Sequence, residues 1–161
     1  MKRLVTVVAT FVLTLFVVTL LALAQQHGHS QEAQKGEDMK METKDVSVEG
    51  VRVSFQIMNN AEHKKMLADM SMKADPEAGT THNITLTLKD ESTQKEITNA
   101  EITIKVVDPK GKNQVKKLKF EEMMKSYDAY FNLPEKGKYQ IMALVKTGDK
   151  KRAAGIYYEV N

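Results

Sequence analysis

Apolar and polar residues alternate along most of the chain beyond residue 45, with the period of two that a half-buried β-strand produces. Val46 and Val48 begin the pattern, Gly50 interrupts it, and the apolar residues resume over 51–57, one position out of phase. Glycine at such a break fits either a tight hairpin or a β-bulge that restores the facing of the side chains. The alternation therefore predicts two strands at the start of the folded part of the chain.

Six further segments repeat this alternation, and turns rich in Gly, Pro and Asp separate several of them. Residues 108–111 (Asp-Pro-Lys-Gly) and 134–137 (Pro-Glu-Lys-Gly) are strong turn signals. A lysine-rich strand that ends at Phe120 is typical of a sheet edge. Because short strands at a spacing of about 8 to 12 residues indicate a sandwich, we predict an all-β sandwich of seven to eight strands. Tyr139 fits either a tyrosine corner or an ordinary core position.

One long stretch, residues 59–82, breaks the alternation, and it holds two of the four histidines and three of the ten methionines. Positions 61–70 have a helical period, and Asn60 is the predicted N-cap. At about 100° per residue, one face of that helix would carry an imidazole, two thioethers and a leucine, namely His63, Met66, Met70 and Leu67. The stretch is therefore predicted to be a long loop with one short helix.

The imidazole and thioether side chains of this loop suggest a soft-metal site. Thioether sulfur selects Cu(I), and imidazole suits copper in either oxidation state. Since Met72 lies in the exit of the helix and His82 at the mouth of the next strand, both could close over the same helix face. The predicted metal ligands are His63, Met66, Met70, Met72 and His82. Packing of the methionines on a sheet and hydrogen-bonded or solvated imidazoles remain the alternative.

A second methionine pair, Met123 and Met124, follows the lysine-rich strand. If consecutive strands reverse direction, the loop at 121–126 emerges at the opposite pole of the sandwich from residues 59–82. We therefore expect these two side chains to lie outside the main site, with one of them packed in the core.

Residues 1–24 have the features of a secretory signal peptide: a basic start, an apolar run over 4–23 and a small-x-small exit that ends at Ala24. An uncleaved N-terminal anchor is the alternative, because the run is close to the roughly 20 residues of a membrane span. Residues 25–45 are polar with few large aliphatics, which predicts a disordered tether. The sandwich domain then spans 46–161. We expect a periplasmic or secreted protein that has no membrane contact after cleavage.

The predicted new N-terminus offers a second metal site. If cleavage follows Ala24, the mature chain begins Gln25-Gln26-His27. A free amine, two deprotonated amides and the His27 imidazole form a square-planar nitrogen set that Cu(II) or Ni(II) prefers, and His29 could assist. Cyclisation of Gln25 would remove the amine, and a histidine-containing linker is the alternative.

Composition narrows the range of functions. Residues 1–24 carry two of the 24 Lys and Arg and none of the 21 Asp and Glu, so the mature chain has 22 basic against 21 acidic residues. This balance provides no basic patch for nucleic acid. The chain has no cysteine, which excludes disulfides, thiolate metal sites and cysteine nucleophiles. Since the sequence also lacks Gly-x-Ser-x-Gly and His-Glu-x-x-His signatures, we expect no enzymatic activity.

Several segments of the domain resemble small exported β-sandwiches of the YtkA-like and CopC-like kind. The resemblance is carried by Thr81-His82-Asn83-Ile84-Thr85-Leu86, Ala100-Glu101-Ile102-Thr103-Ile104, Asp108-Pro109-Lys110-Gly111-Lys112, the methionine pair, Tyr127-Asp128-Ala129-Tyr130-Phe131 and Gly137-Lys138-Tyr139-Gln140-Ile141. It implies an immunoglobulin-like fold, residence in the bacterial periplasm or on the cell surface and, for the CopC-like members, copper carriage through Met-rich and His sites. In this chain the loop at 59–82 supplies the ligand types of such a site.

These observations predict a periplasmic metal-binding carrier or buffer protein with copper as the expected ion. We expect its partners to be the metal ion and a membrane transporter or another periplasmic protein. The alternative is an exported structural or protein-interaction β-sandwich whose loop packs as core. Copper should raise the melting temperature in the first case alone, and His63→Ala with Met66→Leu should abolish that shift.

Overall fold

The structure is a computed structural model that describes residues 42–73 and 76–161. Three predicted features lie outside these residues: the signal peptide, most of the tether, and the N-terminal metal ligands Gln25, His27 and His29. Regular structure is already present at Glu42, ahead of the predicted domain start at Val46.

Within the described residues the chain forms nine strands and one short helix. In chain order they are β1 (Glu42–Val48), β2 (Val51–Asn59), α1 (Asn60–Asp69), β3 (His82–Asp90), β4 (Glu101–Val107), β5 (Asn113–Lys117), β6 (Lys119–Glu121), β7 (Ser126–Phe131), β8 (Gly137–Thr147) and β9 (Lys150–Val160). All strand pairs are antiparallel. Sheet A has the order β1-β2-β3-β7-β6, and sheet B has the order β5-β4-β8-β9. The prediction of an all-β sandwich with one short helix is confirmed.

The hydrophobic core lies between the two sheets and is built from the alternating apolar positions of the sequence. Its fully buried side chains include Phe55, Ile84, Leu86 and Phe131 from sheet A and Ile102, Ile104, Ile141 and Val145 from sheet B. Since neighbouring residues on a strand point to opposite faces, each sheet also has an outer face that looks away from this core. The outer face of sheet A carries the site described below.

The turn between β1 and β2 explains the shift of phase in the sequence. Val48 pairs with Val51, so Glu49 and Gly50 form a two-residue turn with φ angles of 45° and 75°. Positive φ at both positions is what a type I′ hairpin turn requires, and glycine adopts it without steric cost. Of the two structures that the sequence left open, the hairpin is the one formed.

The lysine-rich strand, predicted as one element, is two short strands in different sheets. β5 pairs with β4 in sheet B, whereas β6 pairs with β7 in sheet A. Leu118 crosses between them: its side chain is buried, and its N–H donates to the Ile102 carbonyl oxygen at 2.9 Å. Because the alternation of side chains continues through the crossing, the sequence pattern does not reveal it. This division makes the strand count nine and places β6 at the edge of sheet A.

Tyr139 is fully buried, and its hydroxyl bonds to the backbone a few residues upstream. The Glu135 N–H donates to the hydroxyl at 2.9 Å, and the hydroxyl donates to the Glu135 carbonyl oxygen at 3.0 Å. This is the hydrogen bonding of a tyrosine corner rather than of an ordinary core aromatic. The chain is thereby fixed where it turns into β8.

Candidate metal site

Helix α1 begins directly after β2 through a capping box. The Asn59 side-chain oxygen accepts the Glu62 N–H at 2.9 Å, and a Glu62 carboxylate oxygen accepts the Asn59 N–H at 3.1 Å. This reciprocal pair satisfies two backbone donors at the helix N-terminus. The N-cap is thus one residue earlier than predicted. Asn60 instead donates from its side chain to the Thr80 carbonyl oxygen at 2.9 Å, which joins the start of the helix to the end of the loop.

The helix lies on the outer face of sheet A, where it contacts β2 and β3. Met58, Asn83 and Thr85 of these strands point away from the core, and all three are buried. The buried side chains of the helix are those of His63 and Leu67. A helix of this length rises about 15 Å, which corresponds to about four or five residues of strand. The helix therefore ends beside the middle of the sheet and not at the pole where it starts.

A cavity of about 170 Å³ lies between α1 with its exit and the β6–β7 edge of sheet A. Three parts of the chain line it: His63, Leu67, Met72 and Lys73 from the helix and its exit, Glu121 and Met124 from the end of β6 and the following turn, and Asp128 and Tyr130 from β7. One imidazole, two thioethers and two carboxylates therefore meet around one space.

His63 is 1% exposed, and one of its two ring nitrogens has a partner. Its Nδ1 lies 3.0 Å from the Tyr130 hydroxyl oxygen, and the two rings meet edge to face with centroids 5.5 Å apart. Its Nε2 is buried and has no hydrogen-bond partner among the described residues. A buried polar atom without a partner costs about 1 to 3 kcal/mol. The structure therefore leaves this nitrogen buried at a free-energy cost, in a residue that lines the cavity.

The contact with Tyr130 suits the His63 ring to bind a metal ion. When Nδ1 carries the ring proton and donates it to the tyrosine hydroxyl, the Nε2 lone pair is left free. Metal-binding histidines usually fix their tautomer through such a hydrogen bond from the nitrogen that does not bind the metal. Burial lowers the pKa of His63 below the ordinary 6.5, and the nearby charge of Asp128 raises this pKa by a smaller amount. The imidazole is therefore neutral, the form that binds metal, at neutral pH.

Asp128 is held at the cavity wall by a chain of hydrogen bonds on the outer face of sheet A. The Asn83 side-chain nitrogen donates to Asp128 Oδ2 at 2.8 Å, and the Thr85 hydroxyl donates to the Asn83 side-chain oxygen at 2.7 Å. Asn83 and Thr85 are both buried, so this arrangement is shielded from water. These hydrogen bonds hold the negative charge of Asp128 beside the imidazole of His63.

His82 lies on the other face of sheet A. It has the same facing as Ile84, so its ring points between the sheets and contacts Tyr158 of β9 edge to face, with centroids 6.0 Å apart. The next residue, Asn83, points to the outer face and to the cavity wall. The alternation of β3 thus separates the two histidines that the sequence analysis expected to converge.

The His82 ring is engaged in its own hydrogen bonding. Its Nδ1 lies 2.8 Å from the Thr81 hydroxyl oxygen, and this oxygen accepts the Leu133 N–H at 2.7 Å. Burial lowers the pKa of His82 below 6.5, and the charge of Glu62 raises it by less. The nitrogen nearer to the backbone is therefore occupied by a structural contact.

Met66 and Met70 do not line the cavity. Met66 is half-buried, and Met70 is the C-cap of α1 with 45% of its surface exposed. The buried stripe of the helix is narrower than predicted because it consists of His63 and Leu67. Of the five ligands predicted from the loop, the structure brings His63 and Met72 together at the cavity and leaves Met66, Met70 and His82 outside it.

Met124 lines the cavity, which corrects the expectation that the methionine pair lies at the opposite pole. β7 pairs with β3 only from Leu86 to His82, opposite Tyr127 to Phe131, so the turn before β7 lies beside the middle of β3. The helix runs back over the sheet toward this turn. A length of about 15 Å for α1 would have indicated that its exit reaches the start of β7.

Within residues 42–73 and 76–161 there is no group of three or more His, Cys, Asp or Glu side chains that could hold a metal ion. The donor set at the cavity is of another kind, because two of its members are thioethers. Across the same ranges no helix is long and apolar enough to cross a membrane.

The sandwich is a fold that solved structures share. FetP of uropathogenic E. coli strain F11, expressed recombinantly in the periplasm, matches with a TM-score of 0.57 and 9% identity, covering 76% of this chain and 97% of that chain. A copper-bound FetP variant matches with a TM-score of 0.54 and 10% identity, covering 72% and 93%. A DUF4426 family protein from Pseudomonas aeruginosa PAO1 matches with a TM-score of 0.55 and 15% identity, covering 73% and 94%.

At these identities the likeness shows the fold alone. No family model matches the chain, and no curated protein matches it. The resemblance to YtkA-like and CopC-like proteins therefore stays a prediction, as does the immunoglobulin-like topology.

Proposed function

We propose that the chain is an exported carrier or buffer protein that binds one Cu(I) ion in the cavity beside α1, through His63, Met72 and Met124. The buried, unpartnered Nε2 of His63 carries this proposal, because the cavity beside it also presents two thioethers. Imidazole nitrogen and thioether sulfur are donors that suit Cu(I). Coordination would give the Nε2 lone pair the partner that it lacks in the described residues.

Packing alone accounts poorly for the two cavity methionines. Met58, which lies under the helix, is a packing methionine with 2% of its surface exposed. Met72 and Met124 are half-buried and border open space instead. Because a thioether side chain is flexible and fills gaps readily, methionines selected only for packing would be expected to close this cavity.

The two carboxylates at the cavity add electrostatic attraction for a cation. Glu121 and Asp128 both line the space, and among the described residues that line it Lys73 is the single positive side chain. Carboxylate oxygen is a hard donor that suits harder ions better than Cu(I). We therefore assign the carboxylates to attraction of the ion and the imidazole and thioethers to its coordination.

Two further observations support a role in copper handling outside the cytoplasm. The N-terminal sequence predicts export, and a copper-bound FetP variant has a similar sandwich fold. A carrier needs a partner to receive its ion, and we propose a membrane transporter or another periplasmic protein for that step. We propose no enzymatic activity.

A competition titration tests the proposal. Folded wild-type protein should withdraw one Cu(I) per chain from the coloured bicinchoninate complex in the absence of oxygen. Met72→Leu and Met124→Leu should each weaken binding because each removes one thioether from the cavity. Met66→Leu and Met70→Leu remove the same group from helix positions outside the cavity, and they should bind as wild type does.

Two outcomes would contradict the proposal. Weakened binding in the Met66 and Met70 variants with normal binding in the cavity variants would favour the helical stripe predicted from the sequence. Failure of the folded wild-type protein to take Cu(I) from the chelator would favour the exported structural or interaction module.

A further inference from the structure

Met123 is 78% exposed, more than any other large apolar side chain in the described part of the chain. It stands in the turn between β6 and β7, where Glu121 pairs with Ser126 and the four residues between them reverse the chain. Burying a methionine side chain stabilises a fold, and Met123 forgoes most of that stabilisation. Its side chain therefore contributes little to the stability of the fold.

The position of Met123 next to Met124 brings this exposed thioether close to a residue that lines the cavity. Met124 lines the cavity, and Met123 stands beside it in the same turn, in solvent. Lys125 completes the turn with a φ of 48°, a left-handed conformation that reverses the chain tightly. One short turn thus presents one thioether to the cavity and a second to an approaching partner.

An ion is expected to meet the more exposed ligands of the site first, because the His63 imidazole is buried and Met72 and Met124 are half-buried. His63 is 1% exposed and cannot contact a copper donor directly. Cu(I) prefers soft donors, so its transfer between two molecules needs a soft atom that can bind it while the previous ligand leaves. Among the residues beside the cavity, Met123 offers such an atom in full contact with solvent.

We propose that Met123 is the capture ligand for Cu(I), which accepts the ion from a donor and passes it to the cavity. The inference rests on the proposed copper function. The Met123 sulfur donates a lone pair to the ion as one ligand of the donor leaves. The ion then leaves the donor's remaining ligands and Met123 itself as it binds to Met124, Met72 and His63 Nε2. Copper stays in the +1 state throughout, and no proton has to move when Nε2 is already unprotonated.

Stopped-flow transfer from the Cu(I)–bicinchoninate complex to the apo protein tests this role, with the equilibrium affinity measured in parallel by competition. Met123→Leu should slow transfer several-fold and leave the affinity unchanged, because the capture ligand is not retained in the final site. Met142→Leu is the matched control, since Met142 is a half-buried methionine on the outer face of sheet B. It should change neither quantity.

The outcomes separate this inference from the proposed function. A wild-type transfer rate in Met123→Leu overturns the capture role while the copper site stands. A loss of affinity in Met123→Leu also overturns it, because Met123 would then be a resident ligand. If wild-type protein takes no copper at equilibrium, the proposed function fails first, and the capture role fails with it.

Discussion

The two histidines at opposite faces of sheet A, His63 and His82, have different surroundings. On the outer face, His63 bonds to Tyr130 through Nδ1 and lines a cavity with thioethers, and its buried Nε2 has no partner within residues 42–73 and 76–161. On the inner side, His82 bonds to Thr81 and packs against an aromatic ring of the opposite sheet. His63 is buried and His82 is half-buried, and burial lowers the pKa of both. The difference teaches that burial alone does not identify a ligand. We base the proposal for His63 instead on a buried nitrogen without a partner among the described residues and on a neighbouring cavity with thioethers.

Replacement of each histidine should give the largest difference in Cu(I) affinity between the two faces. His63→Gln removes the proposed nitrogen ligand, and Cu(I) affinity should fall by more than the roughly 10- to 100-fold that is typical when a residue that only orients a ligand is lost. His82→Gln should leave the affinity within experimental error, because its ring faces away from the cavity. Competition titration of both variants measures this, and equal losses in the two would show that the faces do not differ as described.

Removal of the hydroxyl group that contacts each histidine should have a smaller effect. One variant should lose Cu(I) affinity, and the other should lose stability. Tyr130→Phe removes the group that fixes the His63 ring, so Cu(I) affinity should fall roughly 10- to 100-fold. Thr81→Val removes the acceptor of the Leu133 N–H, so it should cost about 1 to 3 kcal/mol of stability without changing copper affinity. Urea unfolding and competition titration on both proteins separate the two effects. Copper affinity that falls in Thr81→Val alone would reverse the assignment.

Acidification should have the smallest effect, a loss of stability of the apo protein to which both histidines contribute. The unfolded chain binds protons at histidine with a pKa near 6.5, whereas the folded chain binds them only at lower pH. Stability from these groups is therefore complete above pH 6.5 and decreases as the pH falls from there through the lowered folded pKa values. Urea midpoints of the apo protein between neutral and mildly acidic pH should decline. His63→Gln and His82→Gln should each flatten part of that decline, and an unchanged slope in both would contradict the account.

The strands and the helix were predictable because each follows from a local pattern. Alternation of apolar residues gave the sandwich, and the helical period with a capping asparagine gave α1 to within one residue. The facing of His82 was also encoded, since it has the same parity as Ile84 and therefore points to the core. The sequence analysis placed His82 at the helix face because the loop was taken to remain at the pole of the sandwich.

The cavity was not predictable from local patterns, because it depends on which elements lie side by side. Met72 and Met124 are far apart in sequence, and they meet only because α1 runs back over sheet A while β6 crosses into it at Leu118. Tyr130 and Asp128 likewise needed the pairing of β7 with β3 to be recognised as neighbours of His63. Short-range periodicity contains no information about these long-range pairings.

X-ray absorption at the copper K-edge tests the central claim most directly, because it identifies the atoms bonded to the ion. The Cu(I)-loaded wild-type protein should show two sulfur neighbours and one nitrogen neighbour. Met72→Leu and Met124→Leu should each lose one sulfur, while Met66→Leu and Met70→Leu keep both. A spectrum with nitrogen and oxygen neighbours only, or sulfur neighbours that survive removal of both Met72 and Met124, would contradict a copper site on the outer face of sheet A.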